Sequence, residues 1–329
     1  MTVTAEALIR AQYDPALSAT VIGRRSLVYT AGDGASLDRP PHVRAGSAMA
    51  RIGAQLVVVQ DDASFIAVID GPHVRAVSLP AGPDGRRQFE ERLGNKHHKL
   101  DLEACVLRGE DLVCFGSGST KARERIVIAS GLTGPSPRVR VVEAPLLYRA
   151  LHEERAFAGS ELNLEGAALR GGTLVLFQRG NGATIGGRAP VNATCELSFE
   201  EVWAHLLSGG PPPLPKAIIR YDLGTTEGVP FTFTDATCTP SGALLFLAAA
   251  EDSPDTYNDG PVAGVAIGML AASGAVLTQI REANGEPLRA KAEGICLRHD
   301  DPSRADVVTD RDDPDLPCEL LEIELRGFF

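Results

Sequence analysis

The sequence predicts an all-β protein built from a repeated four-stranded unit, and three observations carry that prediction. A short acidic phrase recurs as DLEACVL with Glu103, NLEGAAL with Glu165, FTDATCT with Asp235 and KAEGICL with Glu293, at intervals of 62, 70 and 58 residues. Each phrase is followed within a hairpin's reach by a second apolar run: LVCFGSGS, LVLFQRGN, LLFLAAAED and ADVVTD. Short apolar runs with turn residues between them fill most of the remaining chain. Four-stranded units repeated at this spacing point to a β-propeller. A chain of 329 residues fits one such domain, residues 1–329.

The first unit lacks the acid. It reads HVRAGSAMARIG, AQLVVVQDD, FIAVIDG and HVRAVSLP, with Ser47 standing 56 residues before Glu103. The second contains LEACVLR, DLVCFGS, RERIVIAS and RVRVVEA. The third opens with LEGAALR and TLVLFQR and ends with KAIIRYDL. The fourth has ATCTPSG, ALLFLAAA, VAGVAIGML and AVLTQIRE. The fifth has GICLR, ADVVTD and ELLEIEL and is one strand short, so the N-terminal TAEALIRAQYD is expected to supply the fourth strand. That addition would close the ring and protect an open sheet edge. Five motif-bearing repeats predict five blades, and residues 17–40 leave room for a degenerate sixth.

Two segments have helical period. SFEEVWAHLL places Ser198 and Glu201 at capping-box spacing and gathers Phe199, Val202, Trp203 and Leu206 on one face. LLYRALHEERAF gathers Leu147, Ala150 and Leu151. Trp203 and His205 are read as packing residues of the first of these helices. Residues 209–215, GGPPPLP, read as a stiff loop.

Composition limits the partners. Charged residues are 23% and the net charge is −11, which opposes phosphate-backbone binding and excludes nucleic acid as the expected partner. No signal-peptide pattern opens the chain and no apolar run has membrane-span length, so a cytoplasmic protein with no membrane partner is expected. Aromatics are only 5%, so the core must be mainly aliphatic. The six cysteines show no paired metal spacing, and Cys105, Cys238 and Cys296, inside the phrases, read as free buried thiols.

The first strand of each propeller blade lines the channel, so Glu103, Glu165, Asp235 and Glu293 are expected to converge. Four crowded carboxyls need compensation. A hard cation such as Ca²⁺ supplies it, with these four as candidate ligands. Hydrogen bonds from the next blade, or arginines, supply it equally well. The ends of the second strands add a polar layer: Gln60 and Asp61, Ser117 and Ser119, Arg179 and Asn181, Glu251 and Asp252, Asp310 and Arg311. From these regions Lys99, Arg123, Arg179, Asn181, Glu251 and Asp310 are candidate ligand-binding residues. Arg123 and Arg179 suit a carboxylate or phosphate, although they would serve as well to neutralise the acids. The loop EDSPDTYNDG, residues 251–260, is rich in oxygen ligands but lacks EF-hand spacing, and DRDDPD, residues 310–315, reads as a solvated face. FGSGSTK lacks the ending of a phosphate loop, and neither G-x-S-x-G nor H-E-x-x-H occurs. His97 and His98 precede an inner strand and read as loop histidines, with one candidate general base between them.

Taken in order, DLEAC, FGSGST, NLEGA, FQRGNG, FTDA, AAAEDSPDTYNDG and KAEG resemble an uncharacterised family of bacterial β-propeller proteins over roughly residues 42–325. The E-G opening of an inner strand is more distantly similar to phytase-like and esterase-like propellers, and to calcium-dependent lactonase and phosphotriesterase propellers. Those resemblances imply a catalytic Ca²⁺ in the channel, with Glu103, Glu165, Asp235 and Glu293 as the matching ligand layer. The related enzymes mix Asn, Asp and Glu, whereas this chain offers acids and Ser47. The expectation is a metal-dependent hydrolase of a small ester, lactone or phosphoester. The alternatives are a non-catalytic binding or scaffold propeller and a carbohydrate-binding or glycosidase propeller using two carboxyls.

Overall fold

The computed structural model describes residues 7–30, 37–252, 260–271 and 274–329. Three strands come first: β1 (Ala7–Arg10), β2 (Gln12–Tyr13) and β3 (Ser18–Ser26). A four-stranded antiparallel meander follows, β4 (Gly46–Ile52), β5 (Gln55–Gln60), β6 (Phe65–Asp70) and β7 (His73–Ser78). The next is β8 (Leu102–Arg108), β9 (Asp111–Gly116), β10 (Arg125–Ser130) and β11 (Arg138–Glu143). Helices α1 (Pro145–Glu153) and α2 (Arg155–Ala158) lead to β12 (Leu164–Arg170), β13 (Thr173–Gln178) and β14 (Asn192–Ser198). Helix α3 (Phe199–Ser208) precedes β15 (Lys216–Asp222), the fourth strand of that sheet. The short β16 (Thr225–Thr226) pairs with β17 (Val229–Cys238), which continues into β18 (Leu244–Glu251), β19 (Val262–Ala271) and β20 (Gly274–Arg281). Last come β21 (Lys291–Leu297), β22 (Arg304–Asp310) and β23 (Glu319–Arg326).

The first strands are neighbours in a closed cycle: β4 beside β8, β8 beside β12, β12 beside β17, β17 beside β21, and β21 beside β4. Four-stranded sheets arranged around such a cycle make a β-propeller. The prediction for the N-terminus needs correction. The missing fourth strand is β3, antiparallel to β23, and not the described residues 7–14 of TAEALIRAQYD, whose first three residues lie outside the described ones. Residues 18–26 are therefore an edge strand of the last sheet rather than part of a separate unit. The residues ahead of β3 extend two other sheets: β1 lies parallel to β15, and β2 parallel to β20. A two-residue parallel pairing of Ile280 and Arg281 with Ala19 and Thr20 joins the last two sheets.

The core lies between facing sheets. Val57, Val59 and Ile66 of one sheet meet Cys105, Cys114 and Val127 of the next, and this aliphatic pattern recurs around the ring. One interface is aromatic, with Phe177, Tyr221 and Phe246 all edge-on to Phe233. The helices thicken the interface between the β8 and β12 sheets, burying Leu147, Tyr148, Leu151, Phe199 and Val202. Each such side chain contributes about 1.5–3 kcal/mol on burial. The Ser198 hydroxyl caps α3 by accepting from the Glu201 N–H at 3.4 Å, and Gly209 ends the helix at φ 68°. Trp203 is partly buried beneath the Arg108 guanidinium, and His205 is buried. All six cysteines are free, with Cys105 and Cys296 buried and Cys238 half-buried. Among the described residues no helix is long and apolar enough to cross a membrane.

The glycines of the LEG and AEG phrases mark where inner strands approach closely. A Cβ on Gly294 would stand 2.8 Å from the Val308 side chain and 3.0 Å from the Ala48 backbone. On Gly166 it would stand 3.1 Å from the Asp235 backbone. Gly294→Ala is therefore expected to cost about 1–3 kcal/mol by overpacking. A urea-denaturation midpoint equal to that of the parent would contradict this.

Candidate functional site

Every first strand carries a β-bulge near its start, and the register defines the equivalent residues. The bulged positions are Ser47, Glu103, Glu165, Thr234 and Glu293. Asp235 is one residue beyond its bulge, at the position held elsewhere by Ala48, Ala104, Gly166 and Gly294. The bulge layer is thus three glutamates and two hydroxyls. The two hydroxyls do the same work: Ser47 donates to the Leu102 carbonyl at 2.5 Å, and Thr234 to the Ala292 carbonyl at 2.7 Å. Both acceptors are on the next first strand. Asp235 also links strands, since its carboxylate accepts the Ile295 N–H at 2.8 Å. Burial pushes its carboxyl well above the ordinary range, against the pull of the Ile295 and Ala236 N–H groups.

The glutamates divide into two environments. Arg179 serves the first. Its guanidinium is 3.4 Å from Glu165, 2.6 Å from Glu251 and 3.9 Å from Glu293, while its Nε donates to Thr232. Lys291 stands 3.5 Å from Glu293 and 3.3 Å from Asp312. Glu165 also accepts from Asn163 at 2.7 Å, and Asn163 reaches Asn181 at 3.3 Å. Glu293 Oε1, on a side chain 5% exposed, has no hydrogen-bond partner. Burial raises both glutamates, only partly offset by Arg179 and Lys291.

Lys99 serves the second environment. Its ammonium pairs with Asp61, with Asp101 at 2.8 Å and with Asp62 at 3.2 Å. Arg123 adds a 2.9 Å contact to Asp101 and donates to Ser119 at 2.8 Å. Ser117 donates to Asp101 as well. Glu103 shares this corner but makes no ion pair or hydrogen bond with its side chain to any described residue. Carboxylate oxygens of Asp61, Asp101 and Glu103 lie within 4.8 Å of one another. Asp61 Oδ1 has no hydrogen-bond partner.

The ionisation pattern follows from this geometry. Burial opposes a charge on Asp101, but Lys99 and Arg123 outweigh it and hold its carboxyl at about 2. Burial, with Asp101 and Asp62 as like charges, pushes Asp61 up to about 8 despite Lys99. Glu103 is raised well above the carboxylate range by burial, then by Asp61 and Glu165. Lys99 and Arg179 lose by burial but gain more from the acids around them, and both are raised.

Of the predicted site residues, the structure brings Glu103, Lys99 and Arg123 together in one corner, and Glu165, Glu293, Arg179 and Glu251 in the other. Asn181 touches the second through Asn163, and Asp310 is turned into its own loop, accepting the Asp312 N–H at 3.1 Å. Of the loop 251–260, residues 253–259 lie outside the described residues. His97 is exposed, its ring 3.9 Å from that of His98 and tilted 48° to it. The sequence reading missed Asp62, Asp101 and Lys291. Asp101 and Lys291 each stand two residues before a bulge glutamate, and strand period two was the signal that could have found them.

A family of unknown function, DUF6929, has a model that matches residues 42–325. The chain belongs to that family. No curated protein matches it. Among solved structures, a mannose phosphorylase from Leishmania mexicana, in complex with a phosphate ion, is similar at TM-score 0.46 and 16% identity, over 92% of this chain and 88% of its own. A protein of unknown function from Dyadobacter fermentans is similar at TM-score 0.45 and 10% identity, over 95% and 100%. An α-L-arabinanase from Penicillium chrysogenum, complexed with arabinobiose, is similar at TM-score 0.42 and 8% identity, over 86% and 97%.

Proposed function

We propose that this DUF6929 member is a five-bladed propeller whose channel mouth binds a divalent cation, Ca²⁺ by its ligand chemistry, together with a small anionic or ester-containing ligand. The observation that carries this reading is Glu103, a carboxylate with no partner among the described residues, whose oxygen lies within 4.8 Å of those of Asp61 and Asp101. The donor set is all oxygen, as a hard cation requires. Around Lys99, the acids Asp61, Asp62, Asp101 and Glu103 face Lys99 and Arg123, with Arg44 3.6 Å from Asp62, and a bound cation would hold Asp61 and Glu103 in their charged forms against the burial that raises both. The proposed ligand set is therefore Glu103 with Asp61 and Asp101. Glu165 and Glu293 are engaged by Arg179, and Asp235 by backbone.

A bound cation would supply a Lewis acid for a small ester, lactone or phosphoester. The chain's own residues would do the rest. Asp101, fixed by Lys99, Arg123 and Ser117, orients the corner. Arg123, buried beside Asp101, and the half-buried Ser119 that it reaches at 2.8 Å would hold an anionic group of the ligand. Glu103 and Asp61, with raised proton affinity, would hold or release a proton when the ligand enters.

The test is calcium titration of chelator-free protein by calorimetry and thermal melts at pH 6 and pH 8. One Ca²⁺ per chain is expected, with proton release at pH 6 and a larger rise in Tm at pH 8. No heat and no change in Tm at either pH would remove the metal reading and leave the charged clusters as locks between blades.

A further inference from the structure

The loop between α3 and β15 takes no part in the channel-mouth site. Its residues 211–215, PPPLP, belong to no strand or helix. Four of the five are proline, whose ring holds φ near about −65°. Pro211, Pro212 and Leu214 each precede a proline and are thereby kept extended. Those two restraints select the polyproline II helix, with three residues per turn and a rise of about 3.1 Å per residue. Exposure along the segment follows that period. Pro211 and Leu214, one turn apart, are both exposed; Pro212 and Pro215 are both half-buried; Pro213, on the third row, is buried. Leu214 is 68% exposed, more than any other large apolar side chain among the described residues. Both ends are tied down. The His205 ring donates to the Gly210 carbonyl, and Lys216 stands opposite Glu196 in the pairing of β15 with β14. The Lys216 side chain is exposed and makes no ion pair with a described residue.

We propose that residues 211–216 are a docking segment for another protein, one whose surface carries a groove of aromatic side chains with an acidic rim. Pro212 and Pro215 have the P-x-x-P spacing that such grooves recognise in polyproline II segments. One row of the helix is buried against this protein, so the other two, Pro211 with Leu214 and Pro212 with Pro215, are left to enter the groove. Lys216 supplies the charge that an acidic rim complements. The segment is held extended before it docks, so little conformational freedom is lost on binding. Aromatic residues are only 5% of this chain, which makes a second copy a poorer source of the groove than a different protein. The segment leads into the fourth strand of its sheet, away from the inner strands, and its assignment is independent of the cation site.

NMR titration of an isotope-labelled WW domain and an isotope-labelled SH3 domain with the full chain tests this. Saturable changes at the aromatic groove of at least one domain are expected, with a dissociation constant below about 1 mM. Leu214→Ser and Pro212→Ala should each weaken binding about tenfold or more, and Leu207→Ser, at an exposed position on α3, should not. Leu214 is exposed, so Leu214→Ser keeps the test valid if Pro212→Ala disturbs the loop. Absence of saturation in both domains at about 1 mM chain overturns the proposal, as does undiminished binding by Leu214→Ser. Sedimentation showing a dimer of the parent that Leu214→Ser abolishes would assign the segment to a second copy and overturn it as well.

Discussion

Replacing Arg179 by methionine should cost about 3–5 kcal/mol at pH 8, the range for stranding a buried charge. Arg179 is 5% exposed and faces Glu165, Glu251 and Glu293. Without it, Lys291 is the cation left beside those carboxylates among the described residues, and it also faces Asp312. The loss depends on pH. With the guanidinium gone, Glu165 and Glu293 are raised further, and acids whose folded pKa lies above the unfolded value stabilise the fold when protonated and lose that contribution as pH rises. The penalty should therefore shrink on going from pH 8 to pH 5.5. Arg179→Lys should fall between, since an ammonium cannot reproduce the fork that spans Glu165, Glu251 and Thr232. Urea unfolding of both variants at the two pH values is the measurement. A cost below about 1 kcal/mol at pH 8, or one that does not change with pH, would show that the guanidinium is not neutralising these acids.

Glu103→Gln should act in the opposite direction. It removes a carboxyl whose charge burial, Asp61 and Glu165 all oppose, so the apo protein should gain about 1 kcal/mol or more at pH 8, one pKa unit being worth 1.36 kcal/mol. Asp61, raised to about 8, contributes stability that is present below the ordinary carboxylate range and lost as pH climbs through 8. Glu103, raised likewise, adds to that loss, so the parent should lose stability between pH 5 and pH 8, and Glu103→Gln should flatten the part of the slope that is its own. The same substitution should abolish the calcium-dependent rise in Tm. A variant that is less stable than the parent at pH 8 would mean that Glu103 has a structural partner. A variant that keeps the calcium response would place the cation elsewhere.

The repeat was legible in the sequence because four of the five inner strands carry the same sequence of constraints, an acid or hydroxyl, a small residue, then an apolar run, and the remaining one keeps it with Asp235 in the small residue's place. The site was legible only to the nearest residue. Four acids looked equivalent, yet FTDATCT is offset by one, and Thr234 occupies the bulge while Asp235 follows it. A bulge inserts one residue and resets which side chains share a face. Local pattern reading could not see that offset, because Asp235 is the residue that looks like its counterparts. Ser47 was recognised as an exception, whereas its hydroxyl matches that of Thr234 in both position and bond. Which cation serves which acid was not legible at all. Arg179 and Glu251 are 72 residues apart and meet only because β13 and β18 end at the same rim. The N-terminus was misassigned for a related reason: edge strands carry weak patterns, and TAEALIRAQYD resembles the needed strand as well as SATVIGRRS does.

The pairing of β3 with β23 also sets the timing of folding. Thr20 bonds alongside Glu324, and Arg24 alongside Leu321, so a strand synthesised among the first must wait for one synthesised among the last. On a ribosome, chain would emerge for tens of seconds, at roughly 5–20 residues per second, with that edge unmatched. During this interval β23's place beside β3 is open to any other strand, including one from a neighbouring nascent chain. Dimers formed by exchange of residues 7–26 are therefore the characteristic misassembly to look for at high expression.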